Sequence, residues 1–161
     1  MRLAATALLL LTGCGSGDNE KSAGARLETA AIERGVIPGP DSLRVVGAYG
    51  RGADRACVIE RDGGLKLGVD VAYGGELGCT ARGTAKQDGE DIDIALDGAE
   101  GCRFTARFDG GELVFPGRLP DSCATFCDAP ASLAGLTVDR LSDAAAEVRA
   151  MRGQQGSLLC S

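Results

Sequence analysis

The sequence predicts a mainly β domain with minor α: an antiparallel β-meander, a curved sheet or partial barrel, with short helices at both ends. Three observations carry this. Between Leu43 and Leu119, apolar and polar residues alternate with period two, as in a sheet buried on one side. Glycine turns punctuate that stretch: Asp62-Gly63-Gly64, Gly74-Gly75, Asp88-Gly89, Asp97-Gly98 and Asp109-Gly110-Gly111. Gly accepts positive φ without a Cβ clash, so these are tight hairpins. The intervals leave no room for the helices that parallel crossovers need.

The elements follow in order. Residues 26–34 are expected to form a short helix with Leu27, Ala30, Ala31 and Arg34 on one side, stopped by Gly35. Pro38 and Pro40 then bend the chain. Expected strands are 43–49, 56–61, 65–73, 77–86, 91–96, 102–108 and 112–115. Leu65, Leu67, Val69, Val71 and Tyr73 share one face of their strand. Ile92 and Ile94 likewise alternate with Asp91 and Asp93, and Phe104 and Phe108 with Arg103, Thr105 and Arg107. The glycine-rich segment Gly47 to Gly52 lacks the spacing of a phosphate-binding loop and precedes a strand, so it reads as a hairpin turn. Beyond Pro120, Asp128 and Pro130 open a short helix through Ser132-Leu133-Ala134. Ser142 caps a second helix, 143–152, whose charge order suits the helix dipole.

The N-terminus carries the one specific motif. Met1 and Arg2 precede an apolar run ending in Leu11-Thr12-Gly13-Cys14. This resembles the lipobox of bacterial lipoproteins, and the resemblance spans residues 1–14 only. It implies a signal peptide, 1–13, cut before a Cys14 that carries diacylglycerol. Residues 14–25 are then the lipidated cysteine and a flexible tether, and residues 26–161 a single disulfide-stabilised domain. The apolar run is too short for a membrane span, which needs ~20 residues. Gly15, where Asp would favour the inner membrane, implies the outer membrane; the expected location is its periplasmic face.

Composition bounds the function. The chain has 17 Lys and Arg against 23 Asp and Glu. Loss of Arg2 with the leader leaves 16 against 23, a side-chain charge of −7. Nucleic acid is excluded as a partner, because its phosphates demand basic residues. Membrane contact runs through the lipid alone.

Six cysteines follow Cys14: Cys57, Cys79, Cys102, Cys123, Cys127 and Cys160. An even count in an exported chain reads as a disulfide framework. With no His and only one close cysteine spacing, no metal or other cofactor is expected. Taking the hairpins as symmetric puts Cys57 opposite Val69, Cys79 opposite Val71 and Cys102 opposite Ala95. The strand cysteines then sit two strands apart, ~9.6 Å, whereas a disulfide tolerates ~4.4–6.8 Å between Cα atoms. At least one of Cys57, Cys79 and Cys102 should therefore bond to Cys123, Cys127 or Cys160. Cys127–Cys160 is a further expected bond, clasping the last helix to the preceding loop.

Chemistry is sparse. Without His there is no Ser-His or Cys-His catalytic pair. Asp91, Asp93 and Asp97 are the candidate carboxylates for acid-base work, read mainly as a solvated strand face. Asp91-Ile92-Asp93 lacks the oxygen-rich loop of a calcium site. Arg82, Arg103 and Arg107 form a candidate partner-binding patch, with Lys66 nearby, for an envelope protein or saccharide. Cross-strand pairing with Asp70 and Asp93 is the competing explanation. The expected function is a lipid-anchored envelope protein, a non-enzymatic binding or structural module. The alternative is an envelope enzyme using paired carboxylates, such as a glycan hydrolase.

Overall fold

The computed structural model describes residues 17–34 and 43–160, with side chains from residue 23. Cys14 and the lipobox lie outside the described residues. The chain divides into two units at Gly39 and Pro40, not at residue 26. The first holds one helix, α1, Gly17–Glu33. It begins nine residues before the expected helix, so residues 17–25, read as tether, are helical. Leu27, placed on its apolar side, is 73% exposed.

The second unit is a closed antiparallel barrel of eight strands in chain order. These are β1 Gly47–Arg51, β2 Asp54–Arg61, β3 Gly64–Gly74, β4 Leu77–Asp88, β5 Asp91–Leu96, β6 Arg103–Phe108, β7 Glu112–Val114 and β8 Thr137–Ser142. The meander is as expected, and its closure is complete. β8 makes the difference, pairing with both β7 and β1. Closure removes the exposed edges of an open sheet. The seam is stitched outside by Arg51 of β1, which donates to Asp139 of β8 (2.8 and 3.0 Å) and to Glu112 of β7. That bond holds the Asp139 carboxyl below the usual carboxylate range.

Side chains fill the interior. Val69, Val71, Ile92, Ile94 and Phe108 are buried there, and the half-buried Phe104 packs against them. Tyr49 meets Phe108 edge to face, with ring centroids 6.0 Å apart, and donates its hydroxyl to the Val45 carbonyl at 2.6 Å. Lys66, Lys86, Asp93, Arg103 and Arg107 stand on the outer wall. An apolar interior with a charged exterior is the inverse of a membrane-spanning barrel. Among the described residues no helix is long and apolar enough to cross a membrane.

The expected helix near Ser132 does not form. Residues 128–135 are turns around a cis Ala129–Pro130 bond, and Ser132 Oγ accepts from the Ala134 N–H at 3.0 Å. A 3-10 helix lies upstream instead, at Asp121–Phe126. It carries Cys123 into the interior cluster, which Leu133 and Leu136 also join. The second helix does form, as α2, Ala145–Ala150. Ser142 Oγ accepts from the Ala144 N–H at 3.1 Å, just ahead of it.

Three disulfides hold the unit together: Cys57–Cys160, Cys79–Cys127 and Cys102–Cys123, with Cα separations of 6.0, 4.0 and 4.9 Å. Cys57, Cys79 and Cys102 thus all pair with the C-terminal third, where the spacing argument expected at least one to do so. The expected Cys127–Cys160 bond is absent, because Cys127 serves the interior and Cys160 the outer wall. The reason lies in register. The β2–β3 hairpin turns on Asp62 and Gly63, both at positive φ (54° and 75°), with Arg61 opposite Gly64. A two-residue turn centres between residues, not on Gly63. Cys57 therefore faces Gly68, not Val69, and a one-residue slip exchanges the faces. Cys79 faces Val71 as expected. Ala95 faces Arg103, not Cys102.

Candidate functional site

A second, smaller core lies outside the barrel. Ala48, Cys57 and Ile59 point outward from β1 and β2 and are covered by Val148 of α2 and by Leu159 and Cys160. The chain after α2, residues 151–160, lies against the outer wall as an arm. Arg82 holds it by donating to the Leu158 and Leu159 carbonyls. Two glycines permit the close approach. A Cβ on Gly68 would stand 2.3 Å from the Leu159 carbonyl oxygen, and one on Gly153 would stand 2.6 Å from Asp70 Oδ2.

The arm also covers Asp70, which alternation places outside, between Val69 and Val71. It is 2% exposed and is the one buried charged residue among those described. Thr80 Oγ1 donates to its Oδ2 at 2.9 Å, and the Gln154 N–H to its Oδ1 at 3.1 Å. Gln154 Nε2 donates to the Val71 carbonyl at 3.1 Å. Beside this carboxylate a cleft of about 700 Å³ opens between the β3–β4 wall, the 3-10 helix and the arm. Asp70, Thr80, Phe126, Asp128, Gln154 and Glu76 line it. The Asp128 N–H donates to the Gly78 carbonyl at 2.9 Å, and the adjacent Cys79–Cys127 disulfide anchors the same wall.

The residues proposed from sequence lie elsewhere. Arg82, Arg103 and Arg107 do not converge. Arg103 shares a row with Ala95 and Thr84, while Arg107 shares one with Asp91 and Asp88. Arg82 is thus two residues along β4 and two strands across from Arg103, ~12 Å at standard strand spacings. Arg107 lies further still. Each has its own role: Arg82 clamps the arm, Arg107 pairs with Glu90, and Arg103 lines a shallow outer groove with Lys86 and Asp93. Lys66 does neighbour Arg82, in a recess with Arg61. Asp91, Asp93 and Asp97 are exposed on the outer wall and the turn after β5, and Asp93 accepts from Thr105 at 2.8 Å. No pair of buried carboxylates converges among the described residues.

Sequence reasoning missed the cleft. Asp70 reads as one more polar residue on an exposed face, and only the arm, from 84 residues away at Gln154, buries it. The pairing of Cys57 with the terminal Cys160 was the available signal, and it needed the correct register.

No family model, curated protein or solved structure matches this chain. The three disulfides are those of a protein that folds in an oxidising compartment, outside the cytosol.

Proposed function

We propose that this protein is a lipid-anchored module of the bacterial cell envelope that binds a partner or supports the envelope, and is not an enzyme. The observation that carries the reading is the cross-linked barrel with its filled interior. A recess of about 700 Å³ lies outside, on the wall that the Cys79–Cys127 disulfide anchors. Such a scaffold suits recognition: side chains pack the interior, and the recess opens on the outer wall. The lack of His and the scattering of Asp91, Asp93 and Asp97 favour binding over the carboxylate-hydrolase alternative. Leu11-Thr12-Gly13-Cys14 supports anchoring at Cys14, and Gly15 supports the outer membrane over the inner. The partner is an envelope protein or saccharide.

Two measurements test this. Cys14→Ser should remove the acyl mass and move the protein from the membrane to the soluble fraction. A wild-type mature chain without acyl mass overturns the anchoring. Crosslinking in intact envelopes, followed by mass spectrometry of the adducts, should place a partner on the barrel unit. Turnover of envelope glycans by the purified protein would instead establish the enzyme.

A further inference from the structure

Buried charges in proteins are normally paired with an opposite charge or hold a cation. Asp70 breaks that pattern. Its two hydrogen bonds come from neutral donors, the Thr80 hydroxyl and the Gln154 amide. Among the described residues no Lys or Arg forms an ion pair with it. Arg55 lies opposite it in register, but its Nη1 donates to the Gly52 and Asp54 carbonyls (2.8 and 2.7 Å) and not to Asp70. A carboxylate has about four lone-pair sites, so two hydrogen bonds leave capacity for another donor.

The cleft that Asp70 floors carries no compensating charge either. Among the described residues, Glu76 and Asp128 are its other ionisable lining groups and no Lys or Arg lines it. Phe126 sets an aromatic ring in the same wall, and ring faces attract cations. We propose that this cleft binds a cationic nitrogen group, an ammonium or guanidinium, with Asp70 as its buried counter-charge. Thr80 and Gln154 fix the Asp70 carboxylate. Glu76 and Asp128 draw the cation to the mouth, and Phe126 packs against it. The group arrives either on a free polyamine or on a Lys or Arg side chain of a protein. This inference rests on the binding-module reading and supplies its chemistry.

The test is calorimetric titration of the full lipidated chain, in nonionic detergent at low salt. The two probes are spermidine and acetyl-Gly-Arg-Gly-amide. At least one should bind saturably at one site per chain, and which one binds tells the free polyamine from the protein side chain. Asp70→Asn should weaken that binding at least about tenfold, the scale of losing one partner of a buried charge pair. Asp91→Asn on the far wall should leave it unchanged. Folding of Asp70→Asn is checked by the mass of its three intact disulfides and by its melting temperature. Should it not fold, the exposed pair Glu76→Gln with Asp128→Asn decides, and is expected to weaken binding about threefold or more. No saturable binding of either probe overturns the proposal. So does equal affinity in the deciding variant, or equal loss in Asp91→Asn. An envelope partner that crosslinks to the barrel while neither probe binds overturns the cationic chemistry and leaves the binding module standing.

Discussion

Cys57 and Val58 are neighbours in β2, yet they belong to different cores. Val58 points into the barrel, among the packed side chains of all eight strands. Cys57 points out, into a cluster of six buried residues shared with α2 and the arm. The interior is continuous, and strand pairing all around the barrel supports it. The outer core is a graft: one short helix, one arm, two glycines that allow close approach, and a disulfide to hold them. A small apolar cluster buries too little area for independent stability, at about 25 cal/mol per Å². The covalent bond offsets that shortfall. The two regions should therefore respond differently to deletion.

The largest effect is expected inside. Phe108 is fully buried, edge to face with Tyr49, and the Arg140 guanidinium lies 5.0 Å from its ring centroid. Phe108→Ala should cost about 3–5 kcal/mol, as ring deletions from packed cores do. Chemical denaturation monitored by far-UV circular dichroism measures it. A loss under about 1 kcal/mol would show that the interior is looser than its packing implies.

The outer core should fail differently. Cys57→Ser with Cys160→Ser opens a loop spanning 103 residues. The expected loss is about 2–4 kcal/mol, mostly through the freed unfolded chain. The distinguishing readout is local. Amide exchange at Gln154 and Leu159 should accelerate much more than at Val58 or Leu67. Uniform acceleration would mean that arm and barrel unfold as one unit, and the contrast between the two cores would collapse.

That contrast also explains what the sequence revealed. Interior strands show themselves because one face is apolar and the other charged, as in Ile92-Asp93-Ile94. β8 hides because its register reverses the signal. Arg140 takes an inward position over the Phe108 and Tyr49 rings, while Leu141 points out and is 59% exposed. Alternation cannot identify such a strand, so closure of the barrel was not legible. In β2 both faces are apolar, since Cys57 and Ile59 are covered from outside. Only the turn geometry then sets the faces, and a half-residue error in the turn centre misplaced Cys57. The cleft was hidden for the same reason. Asp70 is polar where the pattern expects solvent, and the cover comes from a distant segment with no periodicity. The disulfide logic survived the error, because strand separation excluded direct strand-to-strand bonds in either register.

The smallest expected effect depends on pH and separates the cores without a deletion. Burial of Tyr49 pushes its phenol above the ordinary value of 10.0, and Arg140 only partly opposes that. The folded protein therefore keeps the Tyr49 proton at a pH where the unfolded chain has lost it. Below pH 10 both states are protonated and the group adds no pH dependence. As pH rises past 10, the unfolded state binds fewer protons than the folded one, so stability falls. The loss continues up to the raised folded value and then levels off. Tyr49→Phe removes the titrating group and the hydroxyl's bond to Val45. Its stability should decline less between pH 10 and 12 than that of the wild type, after subtraction of the neutral-pH difference. Urea unfolding at several alkaline pH values measures both slopes. Equal slopes would mean that the Tyr49 hydroxyl ionises as readily in the barrel as in the unfolded chain. Protection of the Leu159 amide, which donates to the Met151 carbonyl outside the barrel, should change equally in both proteins over that range when referred to global stability. A difference there would couple the arm to the interior and join the two cores that the disulfide test holds apart.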